Sequence, residues 1–409
     1  MRVTPQPSVR VQVGIRRPVV ARAESAVHAM LGLYPRTGQW LSDRYPSAVV
    51  TPPERSASGV VLEHLRFGPQ NRLDAVPGLA GPFPSRLRDS VGLALRLGAQ
   101  SVDLLLLRAP RGRPEQISQA EYAEYFASTL SRMPGVCVTA PDVLGRPAVL
   151  YGRTRRDSDL EWRRIRSLCA ALGDTWRESW QLALFDAPLS DPPWASSELG
   201  LADACLFTWL GSPRALARHG WRSAAVVASA QRSRADDVVY LSHIGRTLEL
   251  GPGRRIRRRT IPTPVEPSAQ HGIINRVLLH DTGDTAQILS EETLRPPIGQ
   301  WSIPVLRTVQ GIHRLVRLAA NDFVFRPVTE LQSVALTVAL NMALQPFVQA
   351  GVLRGLGGNP IPEVTAEPLR DRMAPGLSAM IGASVRPWAK RIELRVGVDP
   401  GNAATVELT

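Results

Sequence analysis

Lysine is nearly missing from this sequence: of 49 Lys and Arg residues only Lys390 is a lysine, so guanidinium groups carry the net charge of +13. No G-x-x-x-x-G-K-[ST] segment is present, which excludes a P-loop nucleotide site. Cysteine is scarce as well. Cys137, Cys169 and Cys205 lie far apart and form no C-x-x-C pair. They read as buried, reduced thiols rather than as a disulfide framework or a thiolate metal site. The seven histidines are scattered and never stand at metal-ligand spacing. H-E-x-x-H, G-x-S-x-G and G-x-G-x-x-G are all absent. The sequence therefore has no recognisable catalytic centre, and the expectation is a non-enzyme without cofactor or metal. No apolar run reaches the ~20 residues that span a bilayer, and the first residues, Met1 to Pro7, lack the apolar core of a signal peptide. A cytoplasmic chain without membrane insertion is the expectation.

What is present suits a globular protein of two or three domains: 409 residues, 44% hydrophobic and 21% charged. The basic surface favours acidic partners, whether nucleic acid, anionic membrane or acidic protein. Residues 101–300 alternate short apolar strands with helices. Strands are expected at 102–107, 135–139 and 181–185, and helices at 118–132 and 159–172. Segments 204–208, 213–218 and 224–229 continue the alternation. Apolar runs without alternation suit buried parallel strands. The fold class is thus α/β and multi-domain, a mostly parallel sheet flanked by helices, with N- and C-terminal β-strand arms. Residues 21–100 are less regular: 21–33 looks helical, a strand is expected near 60–65 within a Pro-, Gly- and Ser-rich stretch, and 87–97 reads as a helix.

The stretch from Trp301 to Gly358, within a helical segment expected over 301–388, organises the rest. From Ile303 to Ala320 the residues Val305, Val309, Ile312, Val316 and Ala319 recur at helical spacing. Arg307, Gln310, Arg314, Arg317 and Asn321 fall on the other side, within an arc of roughly 80°. A second helix is expected from Thr329, capped with Gln332. Leu331, Val334, Ala335, Val338, Met342 and Ala343 give it a broad apolar face expected to be largely buried, with Pro346 as a kink or end and Gly351 as a stop. Residues 356–372 are loop-rich.

The two ends of the chain alternate like half-buried strands. Val9, Val11, Val13 and Ile15 mark an arm over 1–20, and Ile392, Leu394, Val396 and Val398 mark another over 389–409, with a turn at 399–402 and a short last strand at 404–408. A terminal strand needs a sheet edge, either in its own fold or in a neighbouring subunit. Two other constellations stay open. Asp142 and Asp186 each follow a strand, so an α/β hydrolase-like acid–base pair is one alternative, against simple strand-end and turn capping. Arg254, Arg255, Arg257, Arg258 and Arg259 stand among Pro and Gly, a second alternative as a basic nucleic-acid-binding loop, against a solvated surface loop. No aromatic residue is interleaved there for base stacking.

Four segments together resemble the sheath proteins of contractile tails, found in myophages and phage-tail-like contractile injection systems. Asn321-Asp322-Phe323-Val324-Phe325-Arg326-Pro327 is similar to that family's aromatic-Val-Phe-Glu-Pro-Asn turn between two helices, with Arg326 where an acidic residue is usual and Val328 in place of Asn. FVQAGVLRG at 347–355 is similar to the Gly-Ala-Leu-x-Gly helix ending. The strand ends at 136–142 and 182–188, and SVRPWAKRIELRVGV at 384–398, follow in the family's order. The resemblance covers roughly residues 100–409. It implies a structural subunit that polymerises by inter-subunit strand exchange into stacked hexameric rings, a contractile helical sheath around an inner tube. Its implied partners are further copies of itself, the inner tube protein, and baseplate and cap proteins, with no specific nucleic acid. The tube contact would fall to Arg307, Arg314 and Arg317.

Overall fold

The computed structural model describes residues 27–33, 45–55, 60–68, 86–108, 126, 129–130, 137–141, 162–163, 165–167, 182–187, 204–220, 222–230, 244–252, 274–281, 284–294, 302–324, 326–369, 376–385, 390–398 and 405–408. Among these, β1 (Val27–Leu33), β2 (Val49–Arg55), β3 (Val61–Phe67), β4 (Ser101–Arg108), β5 (Cys137–Thr139), β6 (Leu182–Asp186), β7 (Ala204–Leu210), β8 (Thr247–Glu249), β9 (Ile274–Leu279) and β10 (Thr285–Ile288) form one sheet. Its order is β2-β3-β4-β1-β5-β6-β7-β9-β10-β8. The run β4-β1-β5-β6-β7-β9 is parallel throughout, and the pairs at both margins are antiparallel.

The pleat sorts side chains to two cores. Met30, Leu104, Leu106, Cys137, Leu184 and Phe207 face one side, where α1 (Arg86–Arg96) and α3 (Ala224–Ala230) supply Leu87, Val91, Val226 and Val227. Ala29, Leu31, Leu105, Val138, Ala183 and Phe185 face the other, where the helical residues Phe126, Leu130, Trp162 and Ile165 close the layer. A sheet buried on both faces needs apolar residues at every position, and this is why its strands read as runs rather than as alternations.

One expectation fails here. Residues 27–33, within the stretch that looked helical, are the strand β1, paired in parallel with β4 on one side and β5 on the other. Ala29, Met30 and Leu31 have good helix propensity, but burial between two layers overrides it. Elsewhere the expected strands at 60–65, 102–107, 135–139 and 181–185 correspond to β3, β4, β5 and β6, and the helix at 87–97 to α1. A short helix α2 (Pro213–His219) follows β7, with the Ser212 hydroxyl accepting from Ala215 N at 3.2 Å. Across β3 and β4, Arg66 and Asp103 stand directly opposite, joined at 2.6 Å (Nε–Oδ1) and 2.8 Å (Nη2–Oδ2). Burial opposes the charge on Asp103, yet the hydrogen bonds from Arg66, the His64 ring 3.5 Å away and the Arg66 charge outweigh it and hold the carboxyl below its ordinary value.

The C-terminal unit has two layers. α4 (Ile303–Asn321) and α5 (Glu330–Gln349) cover one face of an antiparallel sheet made of β11 (Leu353–Arg354), β12 (Glu363–Leu369), β13 (Gly376–Val385), β14 (Lys390–Val398) and β15 (Thr405–Leu408). β12 corrects the loop-rich expectation for 356–372. Its pattern is alternating, with Val364 and Ala366 turned to the core and Glu363, Thr365 and Glu367 exposed, and Pro368 is tolerated because β12 is an edge strand among the described residues. α4 links the two units: Ile303 and Leu306 sit in the first core of the large sheet, whereas Val309, Ile312, Val316 and Ala320 pack in the C-terminal core.

Both ends of α5 are set by local chemistry. Thr329 Oγ1 accepts from Gln332 N at 3.3 Å, the expected N-cap. The helix passes through Pro346 and ends three residues later, at Gln349. Gly351 (φ +71°) then makes the left-handed stop: its N–H reaches Val348 O at 2.9 Å, and Val352 N–H reaches Phe347 O at 3.0 Å. Those two bonds are the paired closure of a Schellman ending, and Val352 and Phe347 meet in the core beneath it.

Candidate functional site

The exposed side of α5 stands out in the C-terminal unit. Its inner face is Ser333, Leu336, Leu340, Leu344 and Phe347, all buried. Leu331, Val334, Val338 and Met342, expected inside, are instead 75%, 61%, 54% and 57% exposed. Their spacing of three and four makes one stripe, about 17 Å long at 1.5 Å per residue. Glu330 is the sole ionisable residue of the helix. By length and composition α5 is also apolar enough to cross a bilayer, contrary to the expectation that no such run exists, with 28% of the apolar window buried inside the fold. A contiguous exposed apolar stripe of this kind marks a contact surface.

The basic face expected on α4 is broken. Residues 303–310 are all buried, because this half of the helix is wedged between the two units. Arg307 is only 5% exposed and donates from Nη1 to Gln310 Oε1 at 3.3 Å, so it is not available as a tube contact in this packing. Arg317 is partly exposed, and the Arg314 side chain lies outside the described residues.

Strand edges differ in kind between the two sheets. In the large sheet β2 carries Pro52 and Pro53 and has register shifts, and β8 is three residues long. Both are blunted against further pairing. In the C-terminal sheet β14 pairs along nine residues with β13, so Ile392, Leu394, Val396 and Val398 lie opposite Ala383, Ile381, Ala379 and Leu377 of their own chain. On its other side β15 pairs only with Leu394–Gly397. Among the described residues no strand covers the outer edge of β14 at 390–393, or that of β15. Val9, Val11, Val13 and Ile15 lie outside the described residues.

The carboxylate alternative loses its described member. Asp186 is 6% exposed, accepts from Ser223 Oγ at 2.6 Å and Ala225 N at 3.1 Å, and thereby caps the start of α3. Asp142 and Arg254 to Arg259 lie outside the described residues.

A second polar cluster resembles catalytic wiring but is structural. His219 Nε2 meets Asp284 Oδ1 at 3.0 Å, and its Nδ1 meets Arg222 Nη1 at 3.3 Å. With Arg222 donating to Nδ1, the neutral ring carries its proton on Nε2 and donates it to Asp284. Both nitrogens are thus occupied. Arg222 also donates to Leu250 O at 2.8 Å and Pro252 O at 2.9 Å, pinning the chain where the arginine-rich segment begins. Burial, then the Arg222 charge, push His219 below its ordinary value of 6.5, outweighing Asp284. The folded state therefore binds fewer protons than the unfolded state below pH 6.5. This contribution is complete above that pH and is lost as pH falls through the folded value. Thermal unfolding of the natural chain should show a lower Tm at pH 5 than at pH 7, and His219→Gln should narrow that difference. Among the described residues no group of three His, Cys, Asp or Glu side chains is placed to hold a metal.

The fold as a whole matches known assemblies. The cryo-EM structure of the anti-feeding prophage helical sheath in its contracted state aligns over 94% of this chain and 92% of that one, with a TM-score of 0.55 and 15% identity. This chain has the contractile sheath fold. A second match, in the six-fold symmetrised anti-feeding prophage baseplate structure, spans 100% of this chain and 99% of the other at a TM-score of 0.53 and 15% identity. No protein-family model matches the sequence, and no curated protein matches it. The sheath fold is thus carried by architecture rather than by retained sequence. The exposed α5 stripe could be foreseen from one signal, a twenty-residue helix with a single ionisable group and apolar residues on both sides.

Proposed function

We propose that this protein is a structural sheath subunit, a non-enzyme that polymerises by inter-subunit strand exchange into a contractile helical sheath around an inner tube. The observation that carries this reading is the near-complete mutual coverage with a sheath chain, 94% and 92%, which leaves little of either chain outside the shared fold. Two surfaces support it: the open edge of β14 and β15, and the charge-free outer face of α5. Copies of a +13 chain repel one another over most of their surface. The α5 stripe is a place where another copy meets no like charge, and another copy is the occupant it fits.

In this reading the subunits stack as hexameric rings, assembled in the cytoplasm with an inner tube protein, a baseplate and a cap. The N-terminal strand with Val9, Val11, Val13 and Ile15 adds to a neighbour's sheet edge. Arg314 and Arg317 are left as the tube-facing cations, without Arg307. Contraction is then a change between two packings of rigid bodies, driven by energy stored at assembly.

Removing residues 1–17 tests the strand-addition step. The truncated chain should remain a folded monomer with an unchanged thermal transition and form no tubes or stacked rings by negative-stain electron microscopy. Tubes of normal length from the truncated chain would remove the arm from the mechanism.

A further inference from the structure

We propose that His219, Arg222 and Asp284 form an acid-sensitive latch on the end of β8: the neutral His219 ring keeps Arg222 pinning residues 250–252, and a proton on that ring expels Arg222 and frees them. The latch belongs to the single subunit and does not rest on the assembly reading.

Five elements build it. β8 stops at Glu249, and two arginines from different helices grip the chain beyond. Arg96, the last residue of α1, donates to Leu250 O at 2.8 Å. Arg222, just ahead of α3, donates to the same oxygen at 2.8 Å and to Pro252 O at 2.9 Å. Gly251 makes the double grip possible: its φ is +67°, and a Cβ there would run into the Arg96 guanidinium. The Leu250 N–H reaches Asp284 O at 2.7 Å, in the turn between β9 and β10, so Asp284 serves the junction with its backbone and its side chain.

The contact that can fail is the one between Arg222 and His219 at the end of α2. Arg222 Nη1 lies 3.3 Å from His219 Nδ1, which suits only a bare nitrogen accepting a hydrogen bond. A proton on Nδ1 sets N–H against N–H and cation against cation. The imidazolium stays, because Asp284 Oδ1 holds Nε2 at 3.0 Å and is the acid that faces the ring. Arg218 Nη2 lies 3.1 Å from that same oxygen and adds positive charge, while Asp281 of the same turn is engaged by the Ser212 hydroxyl at the other end of α2. Arg222 therefore yields, since its grip on the ring is the bond that protonation removes.

Opening returns the ring to its ordinary value of 6.5, whereas burial and the Arg222 charge hold it lower in the closed form. The open form binds the proton more tightly, so acid favours opening, by up to about tenfold between pH 7.5 and 5.5. The run from Arg254 to Arg259 begins two residues beyond Pro252, so the latch sets whether the start of that run is tethered.

Hydrogen exchange of the full chain tests this, with rates corrected for the intrinsic pH dependence of exchange. The reporter is the Leu250 amide and the control is the amides of β1. From pH 7.5 to 5.5 the corrected Leu250 rate should rise by up to about tenfold with no change in β1. His219→Gln keeps a donor for Asp284 and an acceptor for Arg222 but cannot titrate, so its Leu250 rate should stay low at both pH values. Arg222→Met removes the pin and should give a fast Leu250 rate that no longer depends on pH. This second variant keeps the test independent of how well glutamine fills the place of the ring. The proposal is overturned if the natural chain shows no excess exchange at pH 5.5, or if His219→Gln shows the same excess. It is also overturned if Arg222→Met exchanges as slowly at pH 7.5 as the natural chain, since Arg222 would then pin nothing. A matching rise in the β1 amides would assign the change to the whole domain and overturn the local latch.

Discussion

Val334→Glu together with Val338→Glu should abolish tube formation and leave the subunit folded. Both side chains are more than half exposed on the outer face of α5. Surface substitutions of this kind shift stability by about 0.5 kcal/mol or less. Assembly is a different matter. If another copy covers the stripe, two carboxylates are desolvated against an apolar surface, and each unpaired buried charge costs several kcal/mol. Every added subunit meets the same penalty, so the polymer is lost rather than weakened. Circular dichroism melts and electron microscopy read the two effects separately. Leu336→Glu is the matched control: that side chain is fully buried in the C-terminal core, and its substitution should unfold the unit outright. Tubes of normal length from the double variant would show that α5 faces solvent in the assembly.

The same helix shows where sequence periodicity stops being informative. Val334, Val338 and Met342 repeat every four residues, and so do Leu336, Leu340 and Leu344. Periodicity identifies the helix but cannot rank two apolar faces. The bulk of the inner set, closed by Phe347, is what fits the sheet beneath. On α4 the difficulty is the reverse. Its arginines mark a polar face only for a helix with one buried side, whereas this helix is enclosed by two cores through residues 303–310. Asp186 was legible as a strand-end carboxylate. Its partner, the start of α3 at Ser223, lies 37 residues away and is brought there by topology that no local pattern encodes. The parallel strands β4 and β6 were readable because a strand buried on both faces is a continuous apolar run, with Leu104 to Leu107 as the plainest case. β1 was not, because Ala29, Met30 and Leu31 suit a helix equally well.

Gly32, in that same strand, should prove the least replaceable position of the large sheet. β1 stands between β4 and β5, with α1 packed across it. A Cβ on Gly32 would lie 2.6 Å from Leu87 Cδ2 of α1 and 2.8 Å from Leu106 Cδ2 of β4. Both leucines are 0% exposed, so neither has a solvent-side rotamer to move into. Two effects of Gly32→Ala oppose each other. Restricting the unfolded chain stabilises by about 0.4–1 kcal/mol, while overpacking a filled core destabilises by about 1–3 kcal/mol. Contacts this far inside van der Waals distance decide in favour of the second. Gly32→Val adds two more methyl groups to the same gap and should lose about 3 kcal/mol, a large part of the 5–15 kcal/mol by which a domain is stable. Urea unfolding of the natural chain, Gly32→Ala and Gly32→Val should therefore give falling midpoints in that order. A midpoint for Gly32→Val equal to that of the natural chain would mean that α1 does not rest on β1, and with it the packing that holds the first core closed would have to be redrawn.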